Sequence, residues 1–491
     1  MGNIIKAGAL LFAGALFLTA CNKYLEVEPD NRTALDTPEK VAQLLTSAYP
    51  DRDYICFSES MSDNAGDRKH MSIAGSGDAR VNINAYRFVD YASTAQGSPD
   101  VYWQSCYKAI AAANQALETI DMATNKAAYA PYKGEALLAR AYAHFMLVTF
   151  FAKTYDSATA ATDPGIPYVL KPEKEVNTKY ERKTVKYVYE MIEKDLIEGL
   201  PLINDRTYKV PSFHFTKAAA KAFATRFFLF KRDYASVLMY AGQVFPGNNF
   251  RAYLRPLNTS FDKMEGQERR AAFTSADTKA NLLLAATNSI WARAFWRYQF
   301  GLNRKVLSSL FSRYNITKGD MNSYKVYQYG ANNNDLGIDK FAENFIYTSA
   351  DIGYPYIYVP LLTAEEVLFN HAEASARTGD FSAALADLNT YYSTRIRNYD
   401  LATNSITLDK VKAYYNMPDD PGNALLEAIL YARRCEFMQE GMRWMDILRN
   451  KIPVIHAEAN GDTIKIAAND PRKILQIPQM AQSNGLAPNP R

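Results

Sequence analysis

"TGDFSAAL", Thr378 to Leu385, joins two stretches of helical periodicity, "TAEEVLFNHAEASARTG" before it and "SAALADLNTYYSTR" after it. The reading is a helix hairpin whose turn packs an aromatic, Phe381, under the next helix. A second copy lies far upstream: in "KRDYASVL", Lys231 to Leu238, an Asp, an aromatic and a Leu recur at matching positions. There Arg232 stands where the later copy has Gly379. Two copies so widely separated describe a broken set of hairpins rather than a regular tandem array.

The turns resemble those of tetratricopeptide repeats, and the chain around them is mainly helical. "TPEKVAQLLTSAYP" offers Thr37 as N-cap and Pro38 at the first helical position. A long helix follows Ser98-Pro99. "PYKGEALLARAYAHFMLVTFFAKTY" puts Leu137, Ala141, Phe145 and Val148 on one stripe. Further helices are predicted from Thr184 to Leu200, from about Thr216, and in "NALLEAILYARRCEFMQEG". Two regions break this texture, about 61–97 and 246–360, where Gly, Asn, Asp, Tyr and Arg become frequent. Irregular loops and short strands are expected there, and binding residues tend to sit on such loops.

Composition excludes several classes. The net charge is +4 with both signs interspersed, and no concentrated basic face marks a nucleic-acid partner. The five histidines are scattered without metal-ligand spacing, so neither metal nor cofactor is expected. Cys56, Cys106 and Cys435 are too few for a disulfide framework and read as buried thiols. No Gly-x-Ser-x-Gly elbow, phosphate loop or dinucleotide fingerprint occurs, and the chain is read as a binder, not an enzyme. A glycosidase would need two carboxylates about 5–10 Å apart, which sequence cannot place. The 34 Tyr, 25 Phe and 4 Trp suit either a tyrosine-rich core or sugar-binding surfaces, and composition leaves both open.

The start of the chain has its own logic. Lys6 precedes an apolar run from Ala7 to Ala20 that is too short to span a bilayer, the layout of a secretion signal. Leu18-Thr19-Ala20-Cys21 resembles the lipobox of bacterial lipoproteins. That resemblance implies removal of residues 1–20 and lipidation of Cys21, leaving 21–491 as one body. Buried acyl chains contribute about 0.8 kcal/mol per methylene, so two or more anchor a protein stably.

Near the C-terminus, "RRCEFMQEGMRWMDILRNK" carries Glu436, Phe437, Glu440, Gly441, Arg443, Trp444, Asp446 and Arg449. With "CNKYLEVEPDN", "YKAIAAANQALETI", "GEALLARAYAHFMLVTFF" and "LQIPQMAQSNG" in the same order, the chain resembles the SusD/RagB family of nutrient-binding outer-membrane lipoproteins. The implied fold is a mostly α body of interrupted tetratricopeptide-like hairpins with a loop-rich ligand face. The implied function is capture of oligosaccharide at the cell surface without cleavage, and delivery to a SusC-like TonB-dependent transporter. Peptide uptake, as in RagB-like members, is the alternative; a surface glycoside hydrolase is a third. Within the motif itself the reading is structural: Trp444 and Ile447 face a core, and Arg443 pairs with Asp446 at i,i+3.

Ligand candidates come from the two loop-rich regions. In "SIWARAFWRYQF", a strand would put Trp296, Tyr298 and Phe300 on one face and Trp291, Arg293 and Arg297 on the other. A helix would separate Trp291 from Trp296 and dissolve the strip. The family's groove draws on loops matching 61–97, which implies Asp67, Arg68, Tyr86 and Tyr91 as further candidates: aromatics to stack, Asp and Arg to hold hydroxyls.

Overall fold

Hydroxyl caps start the main helices. Ser98, Thr184, Thr216 and Thr363 accept hydrogen bonds from the N–H groups of Val101, Tyr187, Ala219 and Glu366, closing donors that a helix start leaves open. In chain order the main helices are α1 (Pro99–Met122), α2 (Ala130–Phe151), α3 (Val185–Gly199), α4 (Lys217–Lys231), α5 (Tyr234–Ala241), α6 (Ala364–Thr378), α7 (Phe381–Tyr392), α8 (Pro421–Glu436) and α9 (Met442–Arg449), of which α1, α3, α4 and α6 carry these hydroxyl caps. The computed structural model describes residues 35–73, 77–175, 178–312 and 314–491; the expected signal segment 1–20 and Cys21 lie outside the described residues. Helix accounts for about 49% of the protein. No helix among the described residues is long and apolar enough to cross a membrane.

Helices pack as consecutive hairpins: α1 with α2, α2 with α3, α4 with α5, and α6 with α7, while α8 lies against α6. The expected single apolar stripe on α2 is exceeded, because every residue from Gly134 to Phe151 is buried. Neighbours on several sides make α2 the central helix. Each large apolar side chain buried there contributes about 1.5–3 kcal/mol, so packing outweighs helix propensity. Much of the aromatic content is spent the same way: Phe145 meets Phe223 at 5.7 Å and Phe230 at 5.1 Å, and Tyr54 meets Phe150 at 5.5 Å.

The two repeat turns are superposable in kind. Asp233 and Asp380 cap α5 and α7 through the N–H groups of Ser236 and Ala383. Gly379 adopts φ 87°, and Arg232 adopts φ 64°, the same left-handed region that disfavours a side chain.

Behind α6 to α9 lies a buried lattice of ion pairs. Glu365 accepts from Arg255 (2.9 Å) and Arg395 (3.1 Å). Glu436 accepts from Arg395 Nε (2.7 Å) and from the Tyr324 hydroxyl (2.9 Å). Burial alone would raise the Glu436 carboxyl, but Arg395, helped by Lys340 and Arg255, holds it well below the usual carboxylate range. Trp444 and Ile447 are in the core as expected. The expected Arg443–Asp446 pair does not form. Arg443 bonds Asp63 at 2.8 Å, and Asp446 is taken by Arg433 (3.0 Å) and by Arg449 (2.9 Å), three residues further along α9. The three thiols are buried and unpaired.

The strands cluster in the two irregular regions and the C-terminal part: β1 (Gly66–Asp67), β2 (Asn281–Asn288), β3 (Phe300–Gly301), β4 (Val326–Gln328), β5 (Leu336–Ile338), β6 (Glu343–Tyr347), β7 (Gly353–Thr363), β8 (Val454–Ala457) and β9 (Thr463–Ile466). β2, β7 and β6 form an antiparallel sheet in that order. β1 pairs with β3, so the two irregular regions meet.

Candidate ligand-binding face

The segment "SIWARAFWRYQF" is not a strand. Trp291–Ala294 is one helical turn that unwinds before β3, so Trp291 and Trp296 diverge and the aromatic strip does not exist. Trp291 is buried, its indole N–H donating to the Gln439 carbonyl at 3.1 Å. Tyr298 is buried against it, ring centroids 6.4 Å apart. Trp296 stays partly exposed.

Arg68 is 1% exposed and works inside the loop, not at its surface. Its guanidinium donates to four main-chain carbonyls: Leu302 (3.1 Å), Phe295 (2.8 Å), Tyr298 (3.0 Å) and Leu336 (3.0 Å). Burial lowers its pKa to about 10, against the opposing pull of Asp335. Gly301 makes room, since a Cβ there would sit 2.7 Å from Arg68 Nη2. Tyr86 is buried as well, sandwiched between Phe300 (3.7 Å) and His456 (3.9 Å) with parallel rings. A hydrophobic or charged residue in a loop-rich sequence thus became interior because the loop folds over its own small core.

The remaining candidates stay partly exposed. Asp67 accepts from the N–H groups of Lys69 (2.7 Å) and Ala459 (2.8 Å). Tyr91 donates to the Val81 carbonyl at 3.3 Å, on the side where a cleft of about 430 Å³ is bordered by Asp78, Arg80, Asp100 and Gln104. Arg293 grips Glu343 through two hydrogen bonds of 2.6 Å.

What gathers around Trp296 is a set that spacing alone did not assemble. Tyr329 lies nearly parallel to it, centroids 6.0 Å apart, and the Arg297 guanidinium stands 4.8 Å from its ring. Tyr329 donates to Asp339, which also takes Arg270 at 3.0 Å; burial and the Asp339 carboxylate push the Tyr329 phenol up. Tyr329 sits in "QYGANNNDLG", where only the loop texture signalled it. Chemically, the group is a partly exposed indole edged by a guanidinium and by a phenol whose proton goes to Asp339. An apolar C–H face of a ligand could stack on the exposed part of the ring. Asp339 touches this group and is committed to Tyr329 and Arg270, while Asp67 and Glu343 are committed to their own donors elsewhere in the loop region.

A family model described as starch-binding associating with outer membrane matches residues 23–229, and the SusD family model matches residues 243–482. No curated protein matches the chain in sequence. Among solved structures, a SusD superfamily protein from Bacteroides thetaiotaomicron VPI-5482 is similar at 20% identity and TM-score 0.70, covering 93% of this chain and 100% of its own. A SusD-like carbohydrate binding protein from Bacteroides vulgatus ATCC 8482 is similar at 18% identity and TM-score 0.67, covering 91% and 96%. A laminarin binding SusD-like protein follows at 15% identity and TM-score 0.62, covering 92% and 99%. Fold, ordered motifs and both family models agree: the chain belongs to the SusD/RagB family of SusD-like, outer-membrane-associated proteins.

Proposed function

We propose that the protein captures a glycan at the Trp296 face and passes it, uncleaved, to a SusC-like TonB-dependent transporter. Removal of residues 1–20 and lipidation of Cys21 would hold the body 21–491 on the outer membrane, facing outward. The observation that carries the reading is the half-open Trp296 ring flanked by Arg297 and Tyr329 on a loop clamped by Arg68. Family membership supplies the ligand class. Of the sequence candidates, Trp296, Arg293 and Asp67 stay partly exposed on this side and Tyr91 borders a separate cleft, whereas Arg68, Tyr86, Trp291 and Tyr298 are buried and support the face from beneath.

Binding of the protein to a panel of polysaccharides and peptides tests this, with the mixtures checked for new reducing ends. Saturable binding to one glycan class, no products, and about tenfold weaker binding by Trp296→Ala are expected. Binding to peptides alone would replace the cargo, and released sugar would overturn the non-catalytic reading.

A further inference from the structure

The sequence "GYPYIYVP" in β7 alternates, and the sheet register shows what the alternation does. Tyr354, Tyr356 and Tyr358 share one face of β7. Their cross-strand partners on that face are Ile346 and Asn344 of β6 and Asn288 and Ala286 of β2. The opposite face holds Ile357 and Val359, both buried in the core. The tyrosine face is therefore the outer one along Tyr356 and Tyr358, which are half-buried; at the Tyr354 end both faces are open, Tyr354 and Ile346 on one and Phe345 and Tyr347 on the other.

The ladder ends in a cavity of about 390 Å³, floored by Ala286 and walled by Tyr358, Phe213, His214, Asp51 and Lys108. Phe213 meets Tyr358 at 5.0 Å, and Tyr358 meets Tyr356 at 5.5 Å with the rings at 79°. A chain lying along the ladder would meet ring faces and ring edges in turn. His214 is fixed in place: its Nδ1–H donates to the buried Glu135 at 2.7 Å and its ring stacks on Tyr208 at 4.1 Å. With Nδ1 committed, Nε2 is the ring nitrogen left for a ligand. Asp51 and Lys108 neutralise each other at 2.7 Å, and Asp51 is further held by the Ser105 hydroxyl at 2.9 Å.

We propose that this outer sheet face, from Tyr354 to the His214 cavity, is a second glycan site, distinct from the Trp296 face. The ligand is an uncharged oligosaccharide chain. The ladder itself carries no charge, the carboxylates at its end, Asp51 and Glu135, are matched by Lys108 and Arg52, and tilted and edge-on rings with amide and hydroxyl neighbours match alternating C–H faces and hydroxyls. Arg293 and Glu343 belong to the other side of the sheet, since Glu343 pairs with Ile357. The proposal borrows only its ligand class from the reading of the Trp296 face.

Affinity electrophoresis of the full chain in gels holding laminarin or soluble starch separates the two sites. Trp296→Ala protein should remain retarded in one of these gels. Adding Tyr354→Ala, Tyr356→Ala and Tyr358→Ala should weaken that residual binding about tenfold or more. Ala286→Arg, an exposed floor position, should block the cavity end without disturbing the core and lower residual binding in the same direction. Loss of all retardation in Trp296→Ala alone overturns the second site and leaves the first. Residual binding that neither the tyrosine triple nor Ala286→Arg reduces also overturns it. A wild-type chain retarded by neither polysaccharide would overturn the glucan reading of both faces.

Discussion

Two fully buried arginines, Arg395 behind the repeat helices and Arg68 under the loop face, solve the same problem differently. Arg395 is compensated by carboxylates, Glu365 and Glu436. Arg68 is compensated by four main-chain carbonyls. A carboxylate partner demands a particular residue at a particular position, so the repeat frame leaves a readable motif. A carbonyl partner demands only a backbone path. Around Arg68 the loop's shape therefore rests on the backbone path that brings the four carbonyls together.

Arg395→Ala should have the largest effect, since it takes the guanidinium from buried Glu436 and one of two from buried Glu365; a loss of about 3–5 kcal/mol in chemical denaturation is expected. An effect near zero would mean the lattice is not structural. Arg68→Met should cost about 2–3 kcal/mol by leaving carbonyls unpaired, and it should also weaken glycan binding at Trp296. Destabilisation with intact binding would show that the clamp does not position the face.

A third test uses pH. Glu59 is buried between the helix Ile55–Met61 and the turn at Gln439–Gly441, whose N–H groups it accepts at 2.8 and 3.1 Å. Burial raises its carboxyl to about 7, against the opposing hydrogen bonds and Lys340. A folded pKa above the unfolded value means the native state binds the proton more tightly. Its contribution is therefore full below about pH 4.5 and lost as pH rises towards 7, on the order of 3 kcal/mol. Glu59→Gln should flatten that part of the stability profile. An unchanged slope between pH 5 and 7 would show that Glu59 does not titrate there.

The smallest effects lie in the repeat turns. Arg232→Gly should stabilise by about 0.5–1 kcal/mol, and Gly379→Ala should destabilise by about 1 kcal/mol, because both positions hold left-handed backbone. A Cβ at Gly379 meets nothing within 4 Å, so only the dihedral angle is tested. Changes of the same sign would separate the two turns.

The helical frame was legible because its signals are local: Thr184, Thr216 and the two Asp turns announce helix starts, and Trp444 lies on an apolar face. The partner of Arg443 was not, since Asp63 is 380 residues away in the chain and a helical neighbour offered itself instead. Around the ligand face, residue types were right and their direction was not. Arg68 and Tyr298 look like binding residues, yet both turn inward, Arg68 onto loop carbonyls and Tyr298 into the main core against Trp291. Tyr329 was hidden because nothing in "QYGANNNDLG" says that it will meet Trp296. Contacts between distant loops are set by tertiary packing, which periodicity does not encode.

The most direct measurement is glycan affinity of Trp296→Ala beside its melting temperature. Unchanged melting with about tenfold weaker binding is expected if the face is a ligand site built on an independent frame. Unchanged binding, or a binding loss that only follows a fall in melting temperature, would contradict it.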